Sequence, residues 1–142
     1  MIFGIGTDAI EVARIESAVA RHGDRFVARI LGPREMLIHA ARKARSPARA
    51  MLFLATRFAA KEAVSKALGL GMHMPMHWRA VQIVNAGSGR PQAVADGPLG
   101  AFLAQRRLQL HVSVTDINQL ALAYAVAETL DTHAASTAHG LP

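Results

Sequence analysis

The stretch that most constrains the fold is Arg57–Gly71, which reads RFAAKEAVSKALGLG. Its alanine-rich, proline-free composition and the stop at Gly69 predict the last turns of a long helix that begins near Ala48. At about 100° per residue, Glu62 falls inside an apolar stripe on this helix. The stripe comprises Met51, Leu54, Phe58 and Ser65.

Glu62 has two interpretations. A carboxylate on a core-facing surface is costly unless a cation, a metal ion or hydrogen bonds satisfy it, which favours a functional role. Lys66 follows one helical turn later, and an ordinary solvated Glu62–Lys66 pair would contribute about 0.3–0.5 kcal/mol. The helix by itself is compatible with both interpretations.

The length and composition predict one domain with a real core. The chain has 142 residues, of which 51% are apolar and 18% charged, as in an ordinary globular protein. No apolar run approaches the roughly 20 residues of a membrane span, and the first residues lack a signal-peptide pattern. The chain has no cysteine, which excludes disulfides, thiolate metal sites and thiol nucleophiles. We therefore expect a cytoplasmic protein that does not associate with membranes.

The charge balance predicts an anionic partner. Sixteen Lys and Arg residues against ten Asp and Glu residues give a net charge of +6. Such an excess suits nucleic acid, a phosphorylated small molecule or an acidic protein surface. The few aromatic residues do not alternate with basic ones, so nucleic acid is the weaker choice. Much of the excess lies between positions 14 and 42, at Arg14, Arg21, Arg25, Arg29, Arg34 and Arg42.

The amino terminus places an acid directly after a short strand. Met1–Thr7 reads as a buried strand whose two glycines permit close backbone approach, and Asp8 follows it. With Glu11 three residues on, Asp8 resembles the N-cap of a capping box for a helix over residues 11–22. Alternatively, Asp8 is an acid held at a strand end, where it could ligate a metal.

The remaining pattern predicts an α+β fold, with a largely antiparallel sheet packed against the long central helix. The domain covers residues 1–130, and 131–142 form a small, polar, disordered tail. The loop at Gly69–His77 holds two histidines and three methionines, but their spacing fits no metal-ligand pattern, and methionine is a common apolar filler. The other predicted elements are helices at Asp24–Leu31, 33–44 and Pro98–Arg107, and strands at Trp78–Ala86, Gln92–Ala95, Leu110–Thr115 and Leu120–Glu128.

The chemistry available is that of oxygen ligands and cations. The chain has no nucleotide-binding glycine loop and no nucleophile elbow. Two carboxylates from separate elements suit magnesium, and lysine and arginine suit phosphate. These side chains make magnesium-dependent chemistry on a phosphorylated ligand plausible; they are Asp8, Arg57, Lys61, Glu62 and Lys66.

Three motifs, in order along roughly residues 1–130, resemble the holo-acyl-carrier-protein synthases, the short 4′-phosphopantetheinyl transferases of fatty-acid synthesis. They are GIGTD at Gly4–Asp8, RFAAKEAVSKALG at Arg57–Gly69 and HVSVTD at His111–Asp116. The resemblance implies transfer of phosphopantetheine from coenzyme A to a serine of apo-acyl carrier protein, leaving 3′,5′-ADP. Some members have histidine where this chain has Asp116, to which we assign no role.

The resemblance also implies residue roles. Asp8 and Glu62 would bind Mg²⁺, Lys66 would hold a coenzyme A phosphate, and Glu62 or a metal-bound water would take the serine proton, so that these three residues form the catalytic set. Family members are typically homotrimers with sites between subunits. The implied coenzyme A contacts are Arg57, Lys61, Ser65, Lys66, Gly69, Arg90, Pro91, His111 and Ser113. The implied contacts to the acidic carrier are Arg14, Arg21 and Arg25, for which a plain solvated helix face is the alternative.

Two other functions compete with this interpretation. The first is a module that binds coenzyme A or the carrier without catalysis, against which the presence of both Glu62 and Lys66 argues. The second is a basic nucleic-acid-binding domain, which charge alone supports and which predicts strongly salt-dependent binding to any duplex.

Overall fold

A computed structural model describes residues 1–131 of the chain. The predicted α+β class is confirmed, and the predicted tail lies outside the described residues except for Asp131. None of the described helices is long and apolar enough to cross a bilayer. The elements in chain order are β1 (Ile2–Glu11), α1 (Val12–His22), α2 (Asp24–Ile30), α3 (Pro33–Arg45), α4 (Pro47–Leu68), β2 (Val81–Asn85), β3 (Pro91–Ala95), α5 (Gly97–Arg106), β4 (Leu108–Ile117) and β5 (Leu120–Thr129).

Helix α4 is the centre of the molecule. The Ser46 hydroxyl oxygen caps its start by accepting from the Arg49 N–H at 3.4 Å, and Pro47 occupies the first turn. It ends at Gly69, whose φ of 70° lies in the left-handed region that glycine adopts without strain. The prediction of a single apolar stripe was too narrow, because the sheet, α3 and β2 pack on different sides and bury nearly the whole circumference.

A three-stranded antiparallel sheet in the order β1-β5-β4 packs on one side of α4. Strand β5 turns a row of small buried residues toward the helix, which lets sheet and helix approach closely. The predicted terminal hairpin is present with a tighter turn, in which only Asn118 and Gln119 separate β4 from β5. The buried row on β5 is Ala121, Ala123, Ala125 and Ala127.

Strands β2 and β3 form a separate two-stranded sheet. The predicted strand at Trp78–Ala86 is shorter than expected, because residues 78–80 form a turn before Val81. Its residues Val81 and Ile83 belong to the core that β2 shares with α4, and Val84 is also buried. The antiparallel pairing was therefore predicted correctly, whereas its division into two sheets was not.

Strand β1 lies directly on α4 because it contains glycines. A methyl group at Gly4 would clash with the Ala67 carbonyl oxygen, and one at Gly6 would clash with the Ala63 carbonyl oxygen. The predicted close backbone approach is thus observed, and the partner is the carboxyl-terminal half of the central helix.

Of the two interpretations of Asp8, the one that makes it the N-cap of α1 is wrong. Strand β1 continues to Glu11, which pairs with Leu120 of β5, and α1 starts only at Val12 without a side-chain cap. The Val12 N–H instead donates to the Gln119 carbonyl at 2.8 Å. Long-range strand pairing therefore prevails over local capping, and the Asp8 carboxylate is available for another role.

Candidate active site

Asp8 and Lys66 meet where β1 crosses the last turns of α4. The Lys66 Nζ donates to Asp8 Oδ1 at 3.1 Å and to the Thr7 carbonyl at 2.9 Å. The Asp8 side chain is 18% exposed and the Lys66 side chain 51%. Within residues 1–131 no ion pair includes Glu62, so the predicted Glu62–Lys66 pair is replaced by Asp8–Lys66.

Glu62 is half-buried beside this pair. Burial raises the pKa of its carboxyl above the ordinary value, the negative charge of Asp8 raises the pKa further, and Lys66 opposes both. Two carboxylates that repel each other in a partly desolvated place fit a divalent cation, which would relieve both costs. Asp8 and Glu62 offer the hard oxygen ligands that magnesium prefers.

These two carboxylates could supply only part of a coordination sphere. Among the described residues, no three or more His, Asp or Glu side chains converge on one point. Magnesium normally keeps several waters and takes further ligands from substrate phosphates. A site of this kind is therefore suited to a phosphate-bearing substrate rather than to a permanently enclosed ion.

The predicted phosphate contact of Lys61 is wrong for this chain. Its side chain is fully buried, and its three N–H donors go to Glu35 Oε1 at 2.6 Å, the Ile30 carbonyl at 2.6 Å and the Trp78 carbonyl at 2.8 Å. Burial lowers the pKa of Lys61, an effect that the Glu35 charge counteracts. Lys61 faces the core side of α4, away from the carboxylate site.

Arg57 is also an interior residue, only 5% exposed. Its Nε donates to the Ile83 carbonyl at 3.0 Å, its Nη2 donates to Asn85 Oδ1 at 3.3 Å, and its guanidinium stacks on Phe53 at 4.2 Å. Burial lowers its pKa to about 10, with the Arg42 charge contributing. Arg57 joins α4 to β2, and its donors are directed to Ile83 and Asn85 instead of to the predicted phosphate.

Ser65 and Gly69 have local roles at the end of α4. The Ser65 side chain is buried, and its hydroxyl donates to the Glu62 carbonyl at 2.8 Å, which steadies the turn that carries Glu62. The Gly69 N–H donates to the Lys66 carbonyl at 3.1 Å. Both residues support the turn from Glu62 to Lys66, and their contact with coenzyme A stays a prediction.

The remaining predicted coenzyme A contacts fall into two places. Arg90, Pro91 and His111 line one groove of about 510 Å³ between β3 and β4, where His111 Nε2 lies 2.8 Å from Glu128 Oε2. Ser113 lies instead in a groove of about 320 Å³ that also includes Asp8. Ser113 pairs with the exposed Tyr124 on the outer face of the sheet, whereas Asp8 pairs with the buried Ala123 on the face toward α4. The described chain therefore places Ser113 near the Asp8 backbone but on the other face of the sheet, and its contact with coenzyme A stays a prediction, as do those of the other three residues.

The predicted carrier contacts lie on α1 and α2. Arg14 is exposed on α1, and Arg21 and Arg25 line a basic groove of about 360 Å³. Sequence reasoning gave no specific role to Arg29 and none to Phe26, which line the same groove. The four-residue spacing of Arg25 and Arg29 signals one face of α2, whereas Arg21 reaches the groove from the end of α1.

An aromatic stack links this basic groove to α4. The rings of Phe26 and Phe58 lie 6.5 Å apart, and those of Phe58 and Trp78 lie 4.5 Å apart. Phe58 precedes Glu62 by one helical turn, so the basic groove and the carboxylate site are joined by packed side chains. Sequence reasoning missed this stack because its three members come from distant parts of the chain.

Paired carboxylates, a lysine and a basic helical surface are the groups of a protein that binds phosphate-bearing ligands. A sequence model of the 4′-phosphopantetheinyl transferase superfamily matches residues 4–125. Holo-[acyl-carrier-protein] synthase of Herminiimonas arsenicoxydans is 56% identical over 128 residues, which are 90% of this chain and 98% of that protein. The chain therefore belongs to the 4′-phosphopantetheinyl transferase superfamily, among the holo-[acyl-carrier-protein] synthases, as its motifs predicted.

Solved structures agree with this assignment. The holo-[acyl-carrier-protein] synthase of Neisseria meningitidis superimposes with a TM-score of 0.83 at 35% identity, covering 91% of this chain and all of that one (100%). The synthase of Bacillus anthracis, solved in complex with CoA (3′,5′-ADP), superimposes with a TM-score of 0.76 at 32% identity, covering 92% and 99% of the two chains.

Proposed function

We propose that this protein transfers the 4′-phosphopantetheine group from coenzyme A to a serine of an apo-acyl carrier protein. The products are holo-acyl carrier protein and 3′,5′-ADP, and the reaction serves fatty-acid synthesis in the cytoplasm. The observation that carries the proposal is the meeting of Asp8, Glu62 and Lys66 where β1 crosses α4, within a chain that matches named synthases over most of its length.

Asp8 and Glu62 are the proposed magnesium ligands. Their mutual repulsion and partial burial favour a divalent cation between them. When bound, magnesium would neutralise negative charge that develops on the pyrophosphate of coenzyme A. The two carboxylates would hold the ion where β1 crosses α4, next to Lys66.

Lys66 and Glu62 are the proposed catalytic side chains besides Asp8. Lys66 is half-exposed, and two of its three donors are occupied by Asp8 and Thr7, which leaves one N–H for a phosphate oxygen. Glu62 is proposed to accept the serine proton, directly or through a water, because its carboxylate is an acceptor held beside Asp8 and Lys66.

The proposed coenzyme A surface includes the groove lined by Arg90, Pro91 and His111. The B. anthracis synthase, and a Helicobacter pylori synthase solved in complex with coenzyme A, bind this co-substrate and share the fold. Arg90 and His111 offer the donors that a nucleotide phosphate needs.

The proposed carrier surface is the basic face of α1 and α2. Arg14, Arg21 and Arg25 are exposed, and none of them forms an ion pair within residues 1–131. An acidic carrier would supply the missing negative charges and be steered toward the site.

A homotrimer is the proposed assembly. The face of the β1-β5-β4 sheet that points away from α4 exposes large apolar side chains, among them Phe3 at 49%, Ile5 at 55% and Tyr124 at 46%. A contiguous exposed apolar face of this kind fits contact with further copies of the chain. Ser113 pairs with Tyr124 on this outer face, so such contacts would border one of the proposed coenzyme A residues.

The intact mass of apo-acyl carrier protein tests the proposal, measured after incubation with this protein, coenzyme A and Mg²⁺. A gain of one phosphopantetheine group, prevented by EDTA, is the expected result. If folded protein and competent carriers from fatty-acid and polyketide synthesis give no gain, the chain is a binding module rather than a transferase.

A further inference from the structure

A buried ion pair between Lys61 and Glu35 lies on the opposite side of α4 from the β1 contact. Both side chains are 0% exposed, and Lys61 Nζ lies 2.6 Å from Glu35 Oε1. Because Lys61 directly precedes Glu62, this pair and the candidate metal ligand share one helical turn. The proposed function uses the pair for no chemical step.

Three hydrogen bonds hold the Glu35 carboxylate, two on Oε1 and one on Oε2. Besides Lys61, Glu35 Oε1 accepts from the Gly32 N–H at 2.9 Å, and Oε2 accepts from the Ile83 N–H at 2.9 Å. The first bond caps the start of α3, and the second ties α3 to β2. Gln82 adds to this network, since its Oε1 accepts from the Arg34 N–H at 2.8 Å.

Lys61 extends the same network to two further segments. Its Nζ donates to the carbonyl of Ile30, the last residue of α2, and to the carbonyl of Trp78, which begins the approach to β2. The ring of Trp78 stacks on Phe58 of α4. The ion pair therefore connects α2, α3, α4 and β2 at one point, which we call the Lys61–Glu35 node.

The node and the glycines of β1 clamp α4 from two sides. At about 100° per residue, Lys61 and Ala63 point about 200° apart, and Glu62 lies between them. An added methyl group at Gly6 of β1 would clash with the Ala63 carbonyl oxygen, so no side chain fits between the strand and the helix there. Rotation of α4 about its axis would break either the node or this contact, so both together fix the direction of Glu62.

We propose that Lys61 and Glu35 are positioning residues, which hold Glu62 at the angle and depth where it can share a divalent cation with Asp8. The inference rests on the proposed function, because it assumes the Asp8–Glu62 metal site. Two charges that only stabilised the fold could be exchanged for apolar groups without harm. If the two charges instead fix the direction of the metal ligand Glu62, exchanging them for apolar groups should weaken metal binding, because a ligand must be held in position by the residues around it.

The test is direct Mn²⁺ binding to the full-length protein, followed by the electron paramagnetic resonance of the unbound ion. The variant Glu35→Gln/Lys61→Met removes both charges together, so that no single charge is left buried. We expect its Mn²⁺ affinity to be about 10-fold weaker than that of the wild type, the lower end of the range for groups bonded to a metal ligand, because the pair acts on Glu62 through the helix backbone. The Mg²⁺ concentration for half-maximal transfer should rise in step.

Two controls separate positioning from stability. Leu99→Ala removes buried volume from α5, away from the node, and should lose thermal stability while binding Mn²⁺ like the wild type. Glu62→Gln removes a proposed ligand and should lose specific Mn²⁺ binding. If the double variant fails to fold, Glu35→Asp keeps the charge but retracts it by one methylene, and the same weakening is expected.

The outcomes distinguish this inference from the proposed function. Wild-type Mn²⁺ affinity in the folded double variant, or in Glu35→Asp when that replaces it, overturns the positioning role and leaves the transferase intact. Equal weakening in Leu99→Ala also overturns it, because general destabilisation would then be the cause. No difference between the wild type and Glu62→Gln overturns both the inference and the metal site on which it rests.

Discussion

Glu62 is a carboxylate that the fold holds in a place unfavourable to its charge. A carboxyl whose pKa is higher in the folded than in the unfolded chain binds its proton more tightly when folded. Stability is then fully present below the ordinary value of 4.5 and is lost as the pH rises through the raised pKa. Ionised Glu62 therefore destabilises the metal-free protein at neutral pH.

The first prediction follows from the destabilising effect of ionised Glu62. In EDTA at neutral pH, Glu62→Gln should melt at a higher temperature than the wild type, because it removes a partly buried charge that Asp8 repels. The difference should vanish below pH 4.5, where both side chains are neutral. Thermal melts across this pH range measure it, and a variant that is less stable at neutral pH would contradict the electrostatic account.

Gly6 carries the second prediction at the residue scale. An added methyl group would clash with the backbone carbonyl of Ala63, which cannot give way as a side chain does. Gly6→Ala should therefore cost about 1–3 kcal/mol of unfolding free energy, the usual cost of overpacking, and also impair transfer by moving Asp8. Gly87→Ala is the matched control, since nothing lies within 4 Å of its added methyl.

Chemical denaturation measures the Gly6 prediction. Equal and small losses of stability in Gly6→Ala and Gly87→Ala would mean that β1 can retreat from α4 at little cost.

The sequence alone predicts the location of some site residues and not of others. Asp8, Glu62 and Lys66 were predictable as a group, because carboxylates and a lysine in those motifs imply a phosphate-handling site. Lys61 and Arg57 were assigned wrongly, because a cation inside a motif looks the same in sequence whether it faces a ligand or the core. Their direction depends on Glu35 and Asn85, which lie 26 and 28 residues away along the chain.

At the scale of elements, α1 and α2 carry the surface proposed to meet the carrier. The third prediction is that Arg14→Glu raises the apparent KM for the carrier far more than that for coenzyme A, because it reverses a charge on that surface. Arg34→Glu on α3 makes the same change in net charge at an exposed position outside the proposed surface. Steady-state kinetics with each substrate varied in turn provide the measurement.

The Arg14 prediction is tested by comparing the apparent KM values of Arg14→Glu with those of Arg34→Glu. Equal effects on both KM values, or equal effects of Arg14→Glu and Arg34→Glu on the carrier, would mean that Arg14 does not touch the carrier.

Element boundaries were predictable where local signals decide them. The break at Ser46–Pro47 and the stop at Gly69 bound α4 almost as predicted, because capping and left-handed backbone are local effects. The border between β1 and α1 was missed, because the pairing of Glu11 with Leu120 joins residues from opposite ends of the described chain. Local signals could not reveal that Asp8 belongs to a paired strand.

At the scale of the whole molecule, the face of the β1-β5-β4 sheet that points away from α4 is apolar and exposed in the single chain. The fourth prediction is that the wild type has the solution mass of three 15.2-kDa protomers and that Ile5→Glu dissociates them, because it puts a charge into an apolar contact. Leu37→Glu changes a residue on α3 that is 74% exposed and should leave the assembly intact. Light scattering gives the mass.

A monomeric wild type would contradict the proposed homotrimer. An Ile5→Glu variant with the wild-type mass would instead place the contact elsewhere on the surface.

The overall α+β layout was predictable because alternation, helix periodicity and turn residues agree along the chain. The all-round burial of α4 was not, because its many alanines carry little periodic signal while they allow elements to approach from every side. The paired carboxylates depend on that approach, since β1 reaches α4 only over Gly4 and Gly6.

The measurement that tests the central claim most directly is the rate of phosphopantetheine transfer by Glu62→Gln, followed as the intact mass of apo-acyl carrier protein. The substitution removes a ligand charge and keeps the side-chain volume, so the variant should remain folded by circular dichroism. We predict that its carrier stays at the apo mass while the wild type converts it. Near-normal conversion by the folded variant would contradict the metal site formed by Asp8 and Glu62.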